Sequence, residues 1–155
     1  AEDLFLRPSF IAACDDALNS IALALADLKD LHVVVGHPAG SDRRTRSVSV
    51  SERYNQASVV SGGRVVASYA KRELPNYQVF DERRYFVPGT QPCVFEVAGV
   101  RVGLLICEDA WFEQPAQEAK QAGAQLLAVI NAHHGAACAG DGLATGLCPF
   151  GGWPG

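Results

Sequence analysis

The stretch Val100-Arg101-Val102-Gly103-Leu104-Leu105-Ile106-Cys107-Glu108-Asp109-Ala110-Trp111 decides how the chain is read. Its first half alternates, with Arg101 and Gly103 set between apolar neighbours, which is the period of a strand with one solvated face. Val94–Val97 lies just before it across Ala98-Gly99, so the pair reads as a hairpin. After the acids, Glu113–Ala122 carries a helical pattern stopped by Gly123, and the apolar run Leu126–Ile130 follows. Strand, helix and strand in that order specify a layered α/β domain.

Upstream, Pro8 suits the first turn of a helix, and Phe10, Ile11, Cys14, Leu18, Ile21, Leu25 and Leu28 recur at helical spacing, predicting a helix over 8–30. Leu31–Val35 reads as a short buried strand ended by Gly36-His37-Pro38. Residues 39–52 are polar and read as a solvated loop. Ala57–Val60 and Val65–Tyr69 flank Ser61-Gly62-Gly63, a second hairpin signal. The segment 133–155 differs from everything before it. It holds seven of the chain's 15 glycines, no Lys or Arg, and neither strand nor helix periodicity. An unmatched, irregular tail is expected there.

Bulk properties narrow the partners. The 155 residues carry a formal net charge of −4, with 48% hydrophobic and 19% charged side chains. No basic stripe is present to neutralise phosphates, so nucleic acid is not an expected partner. Neither Val100–Cys107 nor Gln125–Ile130 approaches the roughly 20 apolar residues of a membrane span. Five cysteines, Cys14, Cys93, Cys107, Cys138 and Cys148, are an odd and scattered set. They fit a reducing, cytoplasmic setting better than a disulfide framework. The chain contains no methionine and no signal-like N-terminus, so it is expected to begin inside a longer protein.

Chemistry concentrates at three places. Cys107 ends an apolar strand and enters a turn, where a sulfur can project while the next backbone N–H groups face a developing oxyanion. A buried structural cysteine is the commoner fate of such a residue. Lys71, in Tyr69-Ala70-Lys71-Arg72-Glu73-Leu74-Pro75-Asn76-Tyr77, ends a strand before a proline-stiffened loop. Beside a thiol its ammonium would favour the thiolate and stabilise a negative tetrahedral oxygen. Asp81-Glu82-Arg83-Arg84 taken alone is an exposed charge run. His133, His134, Cys138 and Cys148 lack metal-ligand spacing, so no metal is expected.

These blocks resemble one family in order and wording. Lys71–Tyr77, then Val79-Phe80-Asp81-Glu82-Arg83-Arg84-Tyr85-Phe86, Pro88-Gly89 and Cys107-Glu108-Asp109-Ala110-Trp111 are similar to the nitrilase (carbon–nitrogen hydrolase) superfamily. Within it, the likeness is to the glutaminase domains of glutamine-dependent NAD+ synthetases. Glu2-Asp3-Leu4, Leu6-Arg7-Pro8-Ser9-Phe10, Val35-Gly36-His37-Pro38 and Tyr54-Asn55-Gln56-Ala57 fit that branch too, over residues 1–132. Another branch, acting on nitriles, carbamoyl compounds or aliphatic amides, would keep the same Cys107 and Lys71. A non-catalytic interaction module is the alternative of a different class.

The resemblance implies an α-β-β-α sandwich, incomplete at both ends, with 1–132 as a partial amidohydrolase domain. It implies that Cys107 attacks the glutamine side-chain amide and that Lys71 helps hold the oxyanion with the Glu108 backbone N–H. Glu82 would hold Lys71 in place, Tyr77 and Glu108 would contact glutamine, and Trp111 would wall the pocket. It also implies no cofactor for the amidase part, ATP and magnesium only for a synthetase domain of the same protein, and homo-oligomers. The family's general-base glutamate and its substrate-binding serine match no residue of this sequence; Glu2 is not that glutamate. The 155 residues alone are therefore expected to be close to inert.

Overall fold

A computed structural model describes residues 2–41, 52–77, 81–131 and 146–149. The chain divides into two compact units, Ala1–Gln91 and Pro92–Gly155.

The first unit begins with a 3-10 turn, Glu2–Leu6, and helix α1, Pro8–Ala24, with Pro8 in its first turn. Ile11, Leu18 and Ala22 are the buried positions of α1, on one stripe. Leu18 and Ala22 pack with Val60, and Leu25 and Val35 complete the cluster. The helix is shorter than the 8–30 expected. From Leu25 on, the backbone closes three-residue turns, Leu28 N–H to Leu25 O and Leu31 N–H to Leu28 O. Leu28 therefore lies past the helix, and Ile21, off the buried stripe, is exposed like Leu28.

Strands β1 (Val33–Gly40), β2 (Arg53–Ser61) and β3 (Arg64–Ala70) form an antiparallel sheet in that order. Gly36-His37-Pro38 does not end β1, contrary to expectation; Pro38 pairs with Asn55 inside it. Proline is tolerated there because β1 is an edge strand whose outer side needs no N–H donor. Ala39 and Gly40 thus belong to the strand rather than to the expected 39–52 loop, whose residues 42–51 lie outside the described set. The β2–β3 hairpin is as expected: Ser61 faces Arg64 across Gly62 (φ 55°) and Gly63 (φ 83°), the paired left-handed residues of a tight two-residue turn.

The second unit contains β4 (Val94–Val97), β5 (Val100–Ile106), a 3-10 turn (Cys107–Trp111), α2 (Glu113–Gln121), β6 (Leu126–Ile130) and β7 (Gly146–Pro149). Its sheet runs β4-β5-β6-β7, with β5 and β6 parallel across the α2 connection and the other pairs antiparallel. The hairpin and strand–helix–strand expected here are present. The solvated face expected for β5 is not: Val102, Gly103, Leu104, Leu105 and Ile106 are all buried. β5 is an inner strand, and α2 comes so near that a Cβ on Gly103 would lie 3.0 Å from the Ala119 side chain. Both faces of β5 are consumed by packing, as in α/β sheets generally. The Arg101 guanidinium donates to the Ala122 carbonyl, closing the C-terminal end of α2.

Gly146–Pro149 adds to the sheet beside β6; the rest of 133–155 lies outside the described residues. No described helix is long and apolar enough to cross a membrane.

Candidate active site

Lys71 is the first residue past β3. Tyr69 and Lys71, two apart, share one face of the sheet, and both are buried, Lys71 at 2% exposure. The lysine backbone is held on both sides. Its N–H donates to Asn55 O of β2 at 2.8 Å, and its carbonyl accepts from Gly89 N–H at 2.8 Å. That second bond explains Pro88-Gly89. A Cβ at position 89 would sit 2.8 Å from the Ala70 side chain and closer still to the Ala70 carbonyl, so only glycine lets the segment lie against the strand.

Glu82 stands on a 3-10 turn, Glu82–Arg84, fastened to the loop before it. Glu82 N–H donates to Pro75 O at 3.1 Å and Arg83 Nε to Leu74 O at 3.2 Å, with Leu74 itself buried. The Asp81–Arg84 run is therefore not a freely solvated charge cluster. Lys71 Nζ donates to Glu82 Oε1 at 2.7 Å, an ion pair whose lysine end is out of water and whose glutamate side chain keeps 20% exposure. Asn55 Nδ2 donates to the other oxygen, Oε2, at 3.1 Å. An ammonium buried like this is stable only with such a counter-charge. Tyr85 and Phe86 follow, packed against Phe5, Tyr85 edge-on and Phe86 tilted, with ring centroids 5.8 and 5.5 Å away, which anchors the turn carrying Glu82.

Cys107 sits where β5 stops. Its φ is +49°, a left-handed conformation that a non-glycine residue adopts only when its surroundings impose it. The buried run Val102–Ile106 fixes the approach, and Leu104 N–H is bonded to Cys93 O at 3.0 Å. On the far side, Asp109 Oδ2 accepts Ile106 N–H at 3.2 Å across the turn, with Asp109 fully buried. The chain is thus pulled round a sharp corner with Cys107 at its apex. Cys107 is a free thiol, partly exposed, followed by buried Glu108. On α1, burial, and then the Asp15 carboxylate beside it, push the Cys14 thiol above the ordinary range.

Of the residues singled out from the sequence, Lys71 and Glu82 are brought together in the first unit. Cys107, Glu108 and Trp111 belong to the second, within one 3-10 turn. Trp111 is 69% exposed and Tyr77 45% exposed. Val79 and Phe80 lie outside the described residues. Asn55 and Asp109 were missed as site residues although both stand inside quoted motifs. Their sequence signal was a polar side chain within a strand, and an acid two residues past the cysteine. Among the described residues no cluster of His, Cys, Asp or Glu is arranged to hold a metal ion. The tail's His133, His134, Cys138 and Cys148 side chains lie outside that set.

The family model described as carbon–nitrogen hydrolase matches residues 14–142. The glutamine-dependent NAD(+) synthetase of Xanthomonas campestris is 50% identical over 133 residues, covering 84% of this chain and 22% of its own length. That of Thermotoga maritima is 38% identical, with 84% and 21% covered. The chain therefore spans about a fifth of the length of these relatives. Among solved structures, a glutamine-dependent NAD+ synthetase from Acinetobacter baumannii superposes with a TM-score of 0.70 at 35% identity, over 86% of this chain and 23% of that one. An amidase of Nesterenkonia sp. AN1, whose active-site cysteine has added acrylamide, gives 0.66 at 26% identity, over 88% and 50%. These neighbours carry the nitrilase-type α/β fold that the sequence led us to expect. With a match reaching from residue 14 to residue 142, the chain belongs to the carbon–nitrogen hydrolase family.

Proposed function

We propose that this chain is part of a glutamine-hydrolysing domain that supplies ammonia to a synthetase domain making NAD+. The observation that carries the reading is Cys107 held at φ +49° on the corner where a buried strand stops. Such a corner presents a nucleophile clear of the sheet, with backbone donors following it. The 50% identity to a glutamine-dependent NAD(+) synthetase supports glutamine over a simple amide as substrate.

In this mechanism the Cys107 sulfur, as thiolate, attacks the side-chain amide carbon of glutamine, and the carbonyl π pair moves onto oxygen. The Lys71 ammonium and the Glu108 backbone N–H share that negative charge. Glu82 keeps Lys71 oriented and paired between turnovers. As the C–N bond breaks, the amide nitrogen takes up a proton and leaves as ammonia, giving a Cys107 thioester. Water then adds to the thioester carbonyl, and the C–S bond breaks to give glutamate and the free thiol. Tyr77 and Glu108 contact the substrate, and Trp111 borders the pocket. Side chains and water carry every step; ATP and magnesium serve the synthetase reaction. Because no residue of the 155 matches the family's general-base glutamate, they turn glutamine over only weakly by themselves; acid–base help is worth about 10²–10⁴-fold.

The test compares ammonia release from glutamine, acetamide and propionamide by a chain extended to the length of its relatives. Preference for glutamine, abolished in Cys107→Ala, is expected. A preference for the small amides would move the chain to an aliphatic-amidase role. Turnover that survives Cys107→Ala would remove the mechanism.

A further inference from the structure

We infer that Asn55 is a positioning residue that locks the Lys71–Glu82 pair, a role that rests on reading Lys71 as the oxyanion partner. Asn55 reaches both members of the pair by different atoms. Its backbone carbonyl accepts the Lys71 N–H at 2.8 Å, and its side-chain Nδ2 donates to Glu82 Oε2 at 3.1 Å. Glu82 Oε1 is thereby left to Lys71 Nζ at 2.7 Å.

A carboxylate bound through one oxygen can turn about its last torsion and offer either oxygen to its partner. With Oε2 tied to β2, that freedom is lost, and the ammonium has one fixed acceptor. The 20% exposure of the Glu82 side chain makes the tie matter, since water would otherwise compete for the carboxylate. The residue type fits the task. Aspartate would set a second negative charge against Glu82, serine would fall short of Oε2, and a longer glutamine would have to fold back from the strand. Only an amide of this length offers a neutral donor there.

The backbone bond to Lys71 survives any non-proline substitution, so the side chain is tested apart from strand pairing. The readout is the Lys71 ammonium ¹H–¹⁵N resonance of the 155-residue chain, identified by its loss in Lys71→Met. A paired, water-shielded ammonium exchanges slowly and is visible. In Asn55→Leu, close in size but without a donor, exchange with water should accelerate roughly tenfold, the loss expected for one hydrogen bond to a charged group, and the signal should broaden. Gln56→Leu, one residue on and facing the other side of the sheet, should leave it sharp. Asn55→Ser gives the same reading should Asn55→Leu not fold. In the chain of relatives' length, Asn55→Leu should lower kcat with KM little changed.

An unchanged Lys71 signal and unchanged kcat in Asn55→Leu would overturn the role of Asn55 and leave the glutaminase reading standing. Absence of amide hydrolysis from the parent and all variants, with the Lys71 signal still lost in Asn55→Leu, would overturn the reading and keep the clamp.

Discussion

Lys71 and Cys107 each end a strand, and the two are held in opposite ways. Lys71 is held by bonds: backbone bonds run to Asn55 and Gly89, the side chain is paired with Glu82, and Glu82 is bonded at its second oxygen. Around Cys107 the backbone is strained, at φ +49°, and the thiol stays partly exposed. The difference follows from the work each residue is proposed to do. A charge that stabilises an oxyanion must be fixed in place, which bonding accomplishes. A nucleophile must be reachable and free to form and break a bond, so it is aimed by the backbone, and the strain is offset by the buried strand before it and the Asp109 bond across the turn.

Breaking the bonded end should cost most, and unequally. Glu82→Leu leaves a buried ammonium without its counter-charge and should destabilise the chain by about 3–5 kcal/mol. Lys71→Met should cost clearly less, because Glu82 retains 20% exposure and its bond from Asn55. Urea unfolding of the two variants measures the gap. Equal losses would mean that the pair is not held from the lysine side.

Relieving the strained end should have a smaller and opposite effect. Glycine accepts φ +49° without penalty, so Cys107→Gly should be more stable than Cys107→Ala by about 1–2 kcal/mol, the usual cost of a left-handed L-residue. An alanine variant as stable as the glycine one would show the corner to be unstrained.

The smallest effect concerns Cys14. The Cys14 thiol is raised by burial and by Asp15, so less of it is thiolate at a given pH. Its iodoacetamide labelling should still be climbing at pH values above the ordinary thiol range. Peptide mapping of Cys14 at several pH values measures this, and labelling that levels off within the ordinary thiol range would contradict it.

How much of this was legible beforehand depended on whether a residue's role was local. The β5–α2–β6 order could be read because Gly123 and the apolar runs mark it within the segment itself. The continuation of β1 through Pro38 could not, because proline there depends on β1 being at the sheet edge, which is set by pairing with β2. The continuous burial of β5 was hidden for the same reason: Gly103 looked like a polar-side gap and is where α2 packs. Among the candidate site residues, Lys71 and Cys107 stood out by motif. Asn55 did not, since its side-chain partner is 27 residues away, and Asp109 did not, since its carboxylate bonds a backbone group of the preceding strand.

The central claim, that Cys107 is a nucleophile for a glutamine amide, is tested most directly by covalent trapping. A chain of relatives' length would be treated with a glutamine analogue bearing a diazoketone in place of the amide, then digested and mapped by mass spectrometry. The account predicts one adduct, on Cys107, suppressed by excess glutamine and absent from Cys107→Ala. An adduct on Cys14 or Cys93 instead, or labelling of Cys107 that glutamine does not suppress, would contradict it.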